Sequence, residues 1–264
     1  MILSGFFFLL DLIYCLEILY GGFFMKSKKS FMLSVLGIVC AGSLFAALPQ
    51  FEKFHQLKEE LGLVEQAEAK ETDCHLFIVH HGDTQWTVEE RLQGWIDIPL
   101  NEVGKAQMQE IAKKLSAVTI DAIYSSSLIR AVESAAIIQN GRDCEIIIDP
   151  LLRGESHGNL EGLQKSQYEK DPHYVEYKSL SSEDRIFFSV GEGGLSKADV
   201  ARFSIPAIKE ICRKHPGQNV VVVTHGGVLK FMNFLLGNYT PEEIHGEMLR
   251  IDGDGTHLSL LSSS

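Results

Sequence analysis

Residues 219–227 read Asn-Val-Val-Val-Val-Thr-His-Gly-Gly. Four successive valines are stiff at χ1 and suit a pleated surface. An unbroken apolar run, without polar alternation, marks a strand covered on both faces, as in a parallel sheet. The run stops at His225, and residues 228–236 continue with helical spacing. Residues 75–82, His-Leu-Phe-Ile-Val-His-His-Gly, repeat the arrangement: a short apolar run, then histidine and glycine. Working outward, 104–117 has helical periodicity, 120–124 reads as a strand, 128–139 as a helix and 145–148 as a strand. Residues 197–214 read as a further helix, with a kink expected at Pro206. Strands alternating with helices predict an α/β three-layer sandwich, a mostly parallel sheet with helices on both faces. In such sheets ligands bind beyond the C-terminal ends of the strands.

That rule gives the two His-Gly pairs their meaning. One histidine at a strand end is ordinarily structural. Two such pairs, His81-Gly82 and His225-Gly226, point to a shared crevice where glycine lets a ligand approach the backbone. Ser125-Ser-Ser-Leu-Ile-Arg130 adds a strand-to-helix turn with free N–H groups and a guanidinium in the first helical turn. Imidazoles, a guanidinium and helix N-termini together describe an anion site. The chain of 264 residues carries 24 Lys+Arg against 35 Asp+Glu, a net charge of −11. That balance argues against nucleic acid as a partner. A small phosphorylated ligand needs only a local basic pocket. No metal-ligand cluster and no cofactor motif are present in the sequence. Outside the N-terminal apolar runs, Cys74, Cys144 and Cys212 are scattered and odd in number, so they read as ordinary buried thiols.

The N-terminal fifth differs. Residues 1–48 form a hydrophobic signal or anchor region. From Met25 onward, Lys26, Lys28 and Lys29 precede the apolar run 31–48, the pattern of a secretory signal. Residues 1–24 are then an over-extended start. Alternatively both runs are membrane segments, although Asp11 and Glu17 each cost about 2.5–3.5 kcal/mol at mid-membrane. The expectation is an exported or membrane-anchored protein, with the domain cytoplasmic if the segment is an anchor with the domain inside. Residues 49–73 have amphipathic helical spacing and read as a linker helix, leaving 74–264 as the catalytic domain.

Five ordered motifs resemble the histidine phosphatase superfamily, the phosphoglycerate mutase-like proteins. They are Phe77-Ile-Val-His-His-Gly-Asp-Thr-Gln-Trp86, Arg91-Leu-Gln-Gly-Trp-Ile-Asp-Ile-Pro-Leu100, Tyr124-Ser-Ser-Ser-Leu-Ile-Arg-Ala131, Leu160-Glu-Gly-Leu163 and Val223-Thr-His-Gly-Gly227. The resemblance implies a metal-free phosphatase in which His81 is the nucleophile and forms a phosphohistidine. It implies that His225 and Arg130 hold the phosphoryl oxygens, with Thr87 and Gly226 beside them, and that a carboxyl group serves as acid and base.

The departures are informative. The family has arginine where this chain has His80, and imidazole does not replace a permanently charged fork. The loss is worth about 1.5–3 kcal/mol, and an acid-shifted optimum is expected because protonated His80 recovers part of it. The family's acid follows Leu-Arg, but here Leu152-Arg153 is followed by Gly154, and Glu155 comes one position late. His157 reads as a surface or packing residue. Gly193-Gly-Leu-Ser196 resembles the turn of the small-phosphatase branch, with Leu195 in place of its glutamate. A phosphomonoesterase on His81 is the leading expectation. A catalytically impaired relative that binds an anion or partner is the first alternative, and a phosphoglycerate mutase the second.

Overall fold

The structure, a computed structural model, describes residues 43–63, 73–236 and 248–260. The chain divides into two compact units, 1–51 and 52–264. Of the first, only the helical stretch 43–51 is described, so the expected signal or anchor segments in 1–42 lie outside the described residues. Among the described residues no helix is long and apolar enough to cross a membrane.

The elements run α1 (Ser43–Glu60), β1 (Cys74–His80), α2 (Gln85–Val88), α3 (Glu102–Lys114), β2 (Ala122–Ser125), α4 (Ile129–Gln139) and β3 (Glu145–Ile148). They continue with α5 (Lys165–Tyr168), α6 (Pro172–Ser179), α7 (Lys197–Lys214), β4 (Asn219–Thr224), α8 (Gly226–Leu235), β5 (Met248–Gly253) and β6 (Leu258–Leu260). One sheet has the order β3-β2-β4-β1-β5-β6. All pairings among β1 to β4 are parallel, and β5 is antiparallel to both its neighbours. The sheet is thus mixed, with β5 alone reversed. The side chains of β1 and β4 alternate between two cores. Leu76, Ile78, Val220 and Val222 face a cluster built from α7 and α8. Phe77, Val79, Val221 and Val223 face one built from α3 and α4. Burying each such side chain is worth about 1.5–3 kcal/mol, which pins the register.

The register positions the site. Val79 lies opposite Val223 and His80 opposite Thr224, and the His81 amide extends the ladder by donating to the Thr224 carbonyl (3.1 Å). The two His-Gly segments therefore leave the sheet side by side.

Of the expected linker helix over 49–73, residues 64–72 lie outside the described residues, and the helix that is described has other bounds. α1 begins earlier and stops at Glu60. Gly62, at φ +62°, takes the left-handed position that ends helices, and the Leu63 amide reaches back to the Lys58 carbonyl (2.8 Å). Leu57, Leu61 and Leu63 are buried in the α7-side core. α7 is helical throughout 197–214, across Pro206.

Candidate active site

β1, β2 and β4 all end at one cleft of about 550 Å³, lined by His80, His81, Thr87, Arg130, Glu155, His225 and Gly226 among others. Every candidate residue from the sequence is therefore brought to one place. The imidazoles of His80 and His81 lie 4.4 Å apart between centroids, and those of His81 and His225 lie 5.1 Å apart.

His81 is fixed from both sides. Its Nδ1–H donates to the Gly82 carbonyl at 2.8 Å, and its Nε2 accepts from Arg130 Nε at 3.1 Å. That pair of bonds leaves the lone pair on Nε2, facing the guanidinium. Burial holds the His81 pKa well below its ordinary 6.5, reinforced by His80, His225 and Arg130. The ring is thus neutral at pH 7. Gly82 serves a different purpose from the one its motif suggests. A Cβ there would meet the Gly104 backbone, so the glycine lets the loop pack against the start of α3.

Arg130 enters from the first turn of α4 and is buried. Its terminal nitrogens donate to the carbonyls of Gly94 (2.7 Å) and Ile96 (2.9 Å), which aim the fork at His81. Burial lowers its pKa to about 10, so it keeps its charge at neutral pH. His225 Nδ1 faces an Arg130 terminal nitrogen at 3.4 Å, so its Nε2–H donates to Ser126 Oγ at 2.7 Å. Burial, then Arg130, His80 and Arg153, hold His225 well below 6.5 as well.

Thr87 is more occupied than expected. Its hydroxyl oxygen accepts from the Thr84 amide and from Gln93 Nε2, both at 3.2 Å, which leaves its O–H as a single donor. Gly226 has a spatial reason to lack a side chain, since a Cβ would come within 3.3 Å of His80 Nε2.

The loop carrying Glu155 is held at three points. Thr224 Oγ1 donates to the Leu152 carbonyl (2.6 Å), Arg153 Nε donates to Ser127 Oγ (2.7 Å), and Trp95 Nε1 donates to the Gly154 carbonyl (2.9 Å). A Cβ on Gly154 would lie 2.7 Å from the Cβ of His225, so position 154 has no room for a side chain. Glu155 instead enters the cleft, and its carboxylate rests where a side chain on Gly227 would be. Three carboxylates line the cleft. Asp83 is held by Gln107 (3.0 Å) and Glu90 by Lys165 (3.0 Å), while Glu155 faces Lys197 at 3.9 Å.

His157 is corrected from a surface or packing residue to a cleft residue. Its Nδ1 is enclosed without a hydrogen-bond partner, and burial lowers its pKa. Sequence reading also passed over Ser126, Gln93, Lys197 and the carbonyls of Gly94 and Ile96. Glu161 belongs with them, because its Oε1 accepts from the Trp95 amide, the His157 amide and Ser156 Oγ. Gln93, Trp95 and Glu161 fall within recognisable motifs, but the backbone carbonyls carry no sequence signal. Tyr168 also lines the cleft, and Tyr174 packs edge-on against it. Leu195 is not a cleft residue; it packs against the α7-side core. Among the described residues no group of three His, Cys, Asp or Glu is arranged to hold a metal.

The family model of the histidine phosphatase superfamily (branch 1) matches residues 76–262, which takes in all of the sheet but the first two residues of β1 and every residue lining this cleft. The chain belongs to that superfamily. Two relatives come from Arabidopsis thaliana. Phosphoglycerate mutase-like protein 4 is 36% identical over 161 residues, 60% of this chain and 68% of that protein. A metal-independent phosphoserine phosphatase is 36% identical over 186 residues, 69% of this chain and 76% of that protein. Among solved structures, Bacillus stearothermophilus YhfR aligns with a TM-score of 0.64 at 31% identity, covering 72% of this chain and 96% of that one. A mycobacterial glucosyl-3-phosphoglycerate phosphatase, solved with VO3, aligns with a TM-score of 0.61 at 25% identity, over 71% and 96%.

Proposed function

We propose that the protein is a phosphomonoesterase working through a phosphohistidine on His81. The observation that carries this reading is the state of His81: neutral by burial, its Nδ1 proton engaged by Gly82, and its Nε2 lone pair facing Arg130. An imidazole in that state attacks phosphorus at neutral pH without first losing a proton. Nε2 forms the bond to phosphorus as the ester P–O bond breaks. The leaving oxygen takes a proton from Glu155, whose carboxylate stands over Gly227 in the cleft and faces Lys197 at 3.9 Å. Glu155 then removes a proton from water, which attacks the phosphohistidine and returns free imidazole and inorganic phosphate. Arg130, His225 and the Thr87 O–H stabilise charge spreading over the phosphoryl oxygens. In this reading His225 turns a ring N–H toward the phosphoryl group, with Ser126 accepting or donating at its other nitrogen as required.

Small phosphorylated metabolites are the substrate class, and a relative named for phosphoserine makes that ester the first to test. The full chain is incubated with phosphoserine and with 4-nitrophenyl phosphate, with no added metal. Phosphate release that His81→Ala abolishes, together with an acid-labile, base-stable phosphoenzyme in the wild type, is the expected result. A protein that binds phosphate but never becomes phosphorylated would instead be the impaired relative. Several further relatives are named as phosphoglycerate mutases. A mutase would require a bisphosphate primer and return phosphoglycerate isomers rather than free phosphate.

A further inference from the structure

We propose that Cys74 and Cys212 are a disulfide site that ties the start of β1 to the last turn of α7. Both residues are buried, at 0% and 1% exposure, and both belong to the α7-side core. Both are free thiols, and Cys74 is the neighbour that acts most strongly on the Cys212 thiol. A second, independent observation concerns Gly253. Cys74 and Gly253 are cross-strand partners in the β1–β5 ladder. A Cβ on Gly253 would lie 2.9 Å from Cys212 Sγ, so the missing side chain is the space the sulfur fills beside Cys74. Side chains of directly opposite antiparallel residues stand about 4.5–5.5 Å apart at Cβ, so a sulfur seated at the Gly253 position is a close neighbour of the Cys74 side chain. Cys144, the other described thiol, is half-buried and takes no part in this contact.

The bond forms by exchange with a small-molecule disulfide such as oxidised glutathione. One protein thiol, as its thiolate, attacks the reagent and expels one glutathione thiolate. The second protein thiolate then attacks the mixed disulfide and expels the other. The protein loses two electrons and two protons, and one oxidised glutathione becomes two reduced molecules. The neighbouring Cys74 and burial push the Cys212 pKa up, and both side chains are shut away from solvent, so the bond is made before the core closes. The closed loop spans about 140 residues, long enough for a large loss of unfolded-chain entropy.

The test refolds the full chain from urea with oxidised and reduced glutathione, and in parallel with reductant alone. Free thiols are alkylated and the protein is cut with trypsin. Cys74 then lies in 71–91, Cys212 in 210–213 and Cys144 in 143–153, so each pairing gives a distinct mass. The expected product is the 71–91 peptide linked to 210–213, with a Tm roughly 5–15 °C above the reduced protein. Cys212→Ala and Cys74→Ala should each abolish that difference, so a folding failure in one leaves the other to decide. Alkylated Cys74 and Cys212 after oxidative refolding, pairing of either with Cys144, or an unchanged Tm would overturn the assignment. Activity of the reduced protein is untouched by that outcome, so the site stands or falls separately from the proposed phosphatase reaction.

Discussion

Replacing Gly227 with alanine should raise stability slightly and disable chemistry, two effects of opposite sign from one methyl group. The added Cβ would overlap the Glu155 carboxylate, the far end of a flexible side chain, whose atoms are the three nearest to it. Glu155 must therefore swing out while the fold stays put. Gly227 is not among the glycines with positive φ, so alanine is compatible with its place in the first turn of α8. Such a change stabilises by about 0.4–1 kcal/mol, through the unfolded chain. Loss of a positioned general acid costs roughly 10²- to 10⁴-fold. The leaving group separates the causes. Phosphoserine expels an alkoxide that needs the proton, whereas 4-nitrophenolate leaves without one. The variant should lose kcat/KM on phosphoserine by about 10²- to 10⁴-fold and still give a phosphoenzyme burst with 4-nitrophenyl phosphate. Urea unfolding supplies the stability arm. Full activity on phosphoserine, or a loss of burst on both esters, would refute the seat assigned to Glu155.

Other outcomes follow from the same geometry. His80→Arg should raise kcat/KM at pH 7.5 by roughly 10- to 150-fold, the worth of about 1.5–3 kcal/mol in charged hydrogen bonds; an unchanged value would mean that His80 lies off the phosphoryl path. Glu155→Gln should copy the leaving-group pattern of Gly227→Ala without its gain in stability. Trp95→Phe removes the N–H that holds the Gly154 carbonyl and should lower phosphoserine turnover more than the nitrophenyl burst, at a stability cost of about 0.5–1.5 kcal/mol. Stability should also depend on pH with a definite sign. His81, His225 and His157 all have folded pKa values lowered chiefly by burial. The unfolded chain accepts protons near pH 6.5 that the folded chain refuses, so their contribution is complete above 6.5 and is lost as pH falls toward the folded values. Each group contributes a slope of up to about 1.4 kcal/mol per pH unit in that window. Unfolding midpoints that hold steady or rise from pH 7 to 5 would contradict the burial of these rings.

The sheet's centre was legible because burial on both faces leaves an unmistakable run of letters. β3, β4 and α7 have the bounds read from the sequence. β5 and β6 were missed for the complementary reason. In Met248–Gly253 the charged Arg250 and Asp252 interrupt the apolar residues, and Leu258–Leu260 is too short to show a period. The end of α1 was misplaced because Leu61 continues the helical spacing while its backbone already belongs to the Gly62 turn. At the site, His81, His225 and Arg130 were found because strand ends converge by rule. The fate of Gly154 and Glu155 was half readable: a glycine invites a bend, but only the close approach of His225 explains why the carboxylate must come from the next residue.

The neighbouring pair His80-His81 has a consequence for how the site knows its own nucleophile. The motif resemblance implies an arginine and a histidine in these two places, which side-chain chemistry alone would tell apart. Here the two side chains are the same molecule, both buried in one cleft, with ring centres 4.4 Å apart. What distinguishes them is address rather than identity: only His81 receives both the Gly82 carbonyl and the Arg130 N–H. In the proposed reaction, selectivity between two equivalent imidazoles is thereby delegated to strand register, which is set by the β4 valines packed in the two cores away from the cleft.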